Sequence, residues 1–105
     1  MTSKDVLDQI IALDLEWPIW IEGVDPDPDA GLGLSWIWQL PSSHPLHWAG
    51  VIHDLEYQVR NEASSVNADK RFLRNCKKIA GKNLALLAQA HLFFVLASIV
   101  GYFRW

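Results

Sequence analysis

Two stretches decide the fold: Val51-Ile52-His53-Asp54-Leu55-Glu56-Tyr57, and further on Ala68-Asp69-Lys70-Arg71-Phe72. At about 100° per residue, Trp48, Val51, Ile52, Leu55 and Val59 form one apolar stripe of a helix. His53, Asp54 and Tyr57 fall on its other side, with His53 and Tyr57 one turn apart. In the second stretch the helical wheel puts Asp69 near the middle of a stripe made by Val66, Phe72, Leu73, Cys76 and Ala80. A carboxylate there costs several kcal/mol unless it is hydrogen-bonded, so a polar partner is expected. An antiparallel pairing of the two helices across a short turn near 61–64 brings the His53, Asp54 and Tyr57 face onto Asp69.

Outward from this pair, Ser3 reads as an N-cap, and Val6, Leu7, Ile10, Ile11 and Leu15 predict a helix over 4–15. Between Glu16 and Pro41 the chain holds Trp17-Pro18, Asp25-Pro26-Asp27-Pro28-Asp29 and Gly31-Leu32-Gly33. Proline and glycine exclude a helix there, and a loop of about 25 residues is long enough to be functional. Trp36 to Leu40 suits a short strand or an extended anchor. Ser42-Ser43-His44-Pro45 opens the helix that carries His53, which is expected to run to about Glu62. The next helix spans about Ser65 to Ala80, with Gly81 as its stop. Asn83 to Trp105 is apolar almost all round, interrupted by Gln89, His91 and Ser98. The expected architecture is a single all-α domain: two antiparallel helices carrying the site, a long loop on their N-terminal side and an apolar C-terminal helix.

Composition fits this reading. The chain has 105 residues, 50% of them hydrophobic, and a formal charge of −3. No basic stripe is available for phosphate backbones, so nucleic acid is not an expected partner. One cysteine, Cys76, rules out an internal disulfide. Met1 to Asp8 is polar and no apolar core follows, so no secretory leader is expected and the chain reads as cytoplasmic or membrane-associated. Six tryptophans call for an explanation. Trp48 sits on a helix stripe, whereas Trp17, Trp20, Trp36 and Trp38 fall in the loop region, where a lipid or partner surface is one reading and core packing the other.

The helix pair suggests a chemistry. His53 can give one ring N–H to Asp69 and keep its second nitrogen as a base, while Tyr57 donates its hydroxyl to the same carboxylate. Asp54, turned about 100° away, faces the loop and suits a hard cation together with backbone carbonyls.

This pattern resembles the phospholipase A2 fold: a His-Asp doublet on a long helix, a Tyr four residues after the His, and an Asp on the antiparallel partner helix. The Asp preceded by Ala and followed by Phe is similar to the disulfide-free phospholipase domains of parvoviral capsids, and to small phage proteins with the same two-helix pattern. The resemblance covers roughly residues 29–80. It implies calcium-dependent hydrolysis of a lipid ester by a phage or bacterial protein, with His53, Asp69 and Tyr57 catalytic. Calcium would be held by the Asp54 carboxylate and the carbonyls of Asp29, Gly31 and Gly33. This chain has Asp29 where that family carries an aromatic residue, and Leu34 after the second loop glycine. The implied partner is a phospholipid or membrane surface.

Other readings compete. The same four side chains suit a structural hydrogen-bond network or a solvated face. An interaction module binding a host protein would use the tryptophans as anchors. His44, His47 and His53 suggest zinc, but no cysteine or second segment closes a tetrahedron. Asp25, Asp27 and Asp29 imitate the opening of an EF-hand, yet prolines stand between them and Trp36 occupies the closing position. Leu84 to Phe103 is long enough to span a bilayer, although Gln89 and His91 favour a core helix, and a helix lying in the membrane interface is the third reading.

Overall fold

The computed structural model describes residues 3–24, 43–62 and 64–104. Four α-helices make up most of them: α1, Ser3–Ala12; α2, His47–Val59; α3, Val66–Ala80; and α4, Leu84–Arg104. A 3-10 turn at Ile19–Ile21 follows α1. The fold is all-α, as expected, and no strand occurs among the described residues.

Helix ends differ from the sequence expectation for local reasons. The first helix stops at Ala12 because Asp14 turns left-handed (φ 55°). Leu15 N–H then reaches back to the Ile10 carbonyl at 3.1 Å, and Asp14 N–H to that of Ile11 at 3.0 Å, the Schellman closure. Lys78 braces the turn with an ion pair to the Asp14 carboxylate at 2.8 Å. The second helix starts after Pro45, at His47, and ends where Arg60 goes left-handed (φ 52°) and donates its N–H to the Glu56 carbonyl.

Helices α2 and α3 run antiparallel. His53 meets Phe72, Glu56 meets Arg71 and Tyr57 meets Asp69, the partner number falling as the chain advances along α2. One core cluster, Val6, Ile10, Leu15, Ile21, Ile52 and Leu55, joins α1 and the 3-10 turn to α2. A second, Leu46, Ala49, Phe72, Cys76 and Ala90, joins α2, α3 and α4. Asn75, buried on α3, brackets the backbone of Glu16, accepting its N–H at 2.8 Å and donating to its carbonyl at 2.9 Å. That bracket ties the segment after α1 to the site-bearing helix. No helix among the described residues is long and apolar enough to cross a membrane. Helix α4 instead lays Ala90, Ala97 and Gly101 against its neighbours.

Candidate functional site

The α2–α3 interface brings together the three residues expected to do acid–base work. One helical turn separates His53 from Tyr57, so both project towards α3, and Asp69 in the first turn of α3 lies between them. His53 is 1% exposed, Tyr57 0% and Asp69 3%, which overturns the alternative of a solvated face. His53 Nε2 stands 2.7 Å from Asp69 Oδ1, and Tyr57 Oη donates to the same oxygen at 3.0 Å. The Ala97 carbonyl of α4 lies 3.2 Å from Tyr57 Oη as a second acceptor. Burial, and after it the charge of Asp69, pushes the Tyr57 phenol well above its ordinary pKa, so it remains a donor.

An ionised Asp69 can only accept, so the proton between it and His53 is assigned to Nε2. Nδ1, on the opposite edge of the ring, is then the nitrogen with the lone pair. Tyr57 and Phe72 pack against the imidazole as tilted rings, with centroids 4.5 Å and 5.0 Å from its own. Orientation of an imidazole by a buried carboxylate is one part of the arrangement that general-base catalysis uses; Nδ1, the nitrogen that would act as base, is itself buried.

Asp54 faces away from this network. Its carboxyl is pushed up to about 6 by burial, against the opposing pull of His53 and His47. It makes no hydrogen bond or ion pair with any described residue. A half-buried carboxylate in that condition fits a hard cation. Asp29, Gly31 and Gly33, the expected companions of Asp54, lie outside the described residues, as do Trp36 and Trp38. Among the described residues no three His, Cys, Asp or Glu side chains form a metal-binding group.

Trp17 and Trp20 are half-buried and pack against the core cluster between α1 and α2. The zinc alternative loses His44, whose Nδ1 accepts from Leu46 N–H at 3.1 Å while Nε2 meets Gln89 Oε1 at 3.0 Å.

Two polar residues of this interface escaped sequence reasoning. Glu56 is fully buried and paired with Arg71, which also lies 3.9 Å from Glu62. Asn75 is the backbone bracket described above. Beside Asp69 a pocket of about 370 Å³ opens between the start of α3 and the end of α4, with Ser65, Lys70, Phe94, Ser98 and Tyr102 in its wall. The chain matches no known protein family, no characterised protein and no solved structure, so the site rests on its own geometry.

Proposed function

We propose that this protein is a calcium-dependent hydrolase of phospholipid or other lipid esters, with His53 as its general base. The observation that carries the reading is the buried 2.7 Å contact between His53 Nε2 and Asp69 Oδ1, with Tyr57 on the same oxygen. The likeness of this pattern to phospholipases A2 supports it, and so does the Asp54 carboxylate next to the base, which makes no hydrogen bond or ion pair with any described residue.

In this mechanism His53 Nδ1 takes a proton from water as the water oxygen attacks the ester carbonyl carbon. Asp69 accepts the Nε2–H throughout and stabilises the imidazolium that forms. Collapse of the tetrahedral intermediate breaks the acyl–oxygen bond, and the departing alkoxide recovers the proton from His53. Tyr57 keeps the Asp69 carboxylate in place by its donated hydrogen bond. Calcium, held by Asp54 and the carbonyls of Asp29, Gly31 and Gly33, would polarise the ester carbonyl as a Lewis acid.

The test is fatty-acid release from phospholipid vesicles with calcium present. The expected result is turnover in the wild type that falls by about 10³-fold or more in His53→Gln and Asp54→Ala. Absence of release in the wild type, or equal release in His53→Gln, overturns the reading. One observation favours a rival: at 1% exposure His53 also suits a purely structural hydrogen bond in a non-catalytic interaction module. That module has no use for calcium, so saturable calcium binding lost in Asp54→Ala, measured by calorimetry, separates the two.

A further inference from the structure

Helix α4 is apolar on two faces. One is buried through Ala90, Ala97 and Gly101. The other carries Leu84 (79% exposed), Leu92 (55%), Val95 (51%), Ile99 (53%) and Tyr102 (85%). At about 100° per residue these five fall within an arc of about 80°, so they form one continuous stripe along the helix. No acidic residue occurs anywhere in α4.

Charge beside the stripe is one-sided. Residues 44–105 carry eight Lys and Arg against four carboxylates, whereas residues 1–43 carry one lysine against eight. The cations of α3 divide by what they face. Arg71, Arg74 and Lys78 are paired with Glu56, Glu16 and Asp14. Lys70 and Lys77, two turns apart on α3, and Lys82 in the α3–α4 turn are exposed, and none forms an ion pair with any described residue. Lys70 shares a pocket wall with Phe94, Ser98 and Tyr102, which puts this residue beside the C-terminal half of α4. Lys82 immediately precedes the Leu84 end.

We infer that the exposed face of α4, with Lys70, Lys77 and Lys82, is a docking surface for an anionic lipid bilayer, on which α4 lies parallel to the membrane plane. Apolar side chains enter the acyl boundary while the exposed ammonium groups meet lipid phosphates, the combination that holds interfacial helices. A second copy of the chain fits this face less well, because an isologous contact would set the two lysine rims against each other. The biological meaning of this surface rests on the lipid-hydrolase reading, but its test is read by binding alone.

The experiment is co-sedimentation of the full chain with vesicles, without turnover. One set is pure phosphatidylcholine, the other about one part phosphatidylglycerol to three parts phosphatidylcholine. Wild type and the inactive His53→Gln are expected to bind the anionic vesicles alike and the neutral ones at least about tenfold more weakly. High salt should release them. Val95→Glu/Ile99→Glu and Lys70→Glu/Lys77→Glu should each lower binding about tenfold or more while keeping the helical circular dichroism of the wild type. Equal binding to both vesicle types, insensitivity to salt, or no effect of either double variant overturns the inference. So does a wild-type dimer in solution that Val95→Glu/Ile99→Glu converts to monomer. Failure here leaves the hydrolysis assay standing, and an inactive protein that binds as described refutes only the catalytic reading.

Discussion

Asp69 Oδ1 receives two donors from one helix: His53 Nε2 at 2.7 Å and Tyr57 Oη at 3.0 Å. This double use makes the carboxylate both a structural tie between α2 and α3 and the orienter of the imidazole. Asp69→Asn keeps the shape but removes the charge that opposes the imidazolium. Under the proposed mechanism kcat falls by about 10³ to 10⁴, as when a triad carboxylate is neutralised. Stability falls by only about 1–3 kcal/mol, the cost of an imperfectly satisfied buried group. Turnover and urea denaturation of the same sample check both numbers. A loss of stability without any loss of turnover would show that the tie is structural alone.

Gly101 lets α4 approach the network. A methyl group at this position would overlap Tyr57 Oη and Ser65 Oγ, and would lie 2.9 Å from Ser65 Cβ. Ser65 is held at the start of α3 and Tyr57 is fully buried, so neither can yield cheaply. Gly101→Ala is expected to destabilise by about 2–3 kcal/mol, the range of overpacked cores. Tyr57→Phe removes one of the overlapped oxygens, so the double variant should lose less than the two singles combined. A double-mutant cycle in urea measures this coupling, and strict additivity would contradict the contact.

Glu56 is a buried acid whose ion pair with Arg71 links the same two helices. Its Oε2 has no hydrogen-bond partner among the described residues. Arg71→Met therefore strands a carboxylate in the interior and should cost about 3–5 kcal/mol at neutral pH. Adding Glu56→Leu should restore most of that loss, since apolar replacements of a buried pair are often neutral. Thermal or urea melts of the two variants decide it. A single variant within about 1 kcal/mol of wild type would mean that Glu56 finds another cation.

The site is legible where a residue breaks a periodicity. Asp69 stands out because a carboxylate interrupts an apolar stripe, and a helix repeat of 3.6 residues leaves few side chains able to reach it. The same signal marks Glu56, which lies about 40° from Ile52 on the wheel of α2. It passes unnoticed beside the more familiar His-Asp doublet. Asn75 gives no such signal, because its partner is the backbone of Glu16, and a backbone group leaves no trace in residue identity. The helix ends at Asp14 and Arg60 are hidden from sequence because both residues adopt a left-handed conformation that glycine or asparagine more often supplies. Trp17 and Trp20 are ambiguous in sequence, since burial against α1 and α2 depends on where the 3-10 turn places them.

Asp54 links the candidate metal site to stability through pH. Its carboxyl sits at about 6 in the folded chain against an ordinary value of 3.8, raised by burial. The folded protein therefore holds a proton that the unfolded chain releases. The resulting stabilisation is complete below about pH 4 and is lost as pH rises through about 6. Asp54→Asn has no charge to bury, so in calcium-free buffer it should match wild type at about pH 4 and exceed it at about pH 7.5. The excess is at most about 3 kcal/mol, because each tenfold change in proton affinity is worth about 1.4 kcal/mol. Calcium binding requires the ionised form, so calcium should stabilise wild type at about pH 7.5, progressively less below about pH 6, and Asp54→Asn at neither. Urea midpoints across this range, with and without a chelator, test each part. A difference between the two proteins that does not vary with pH would mean that burial does not control Asp54. Equal stabilisation of both by calcium would place the ion elsewhere.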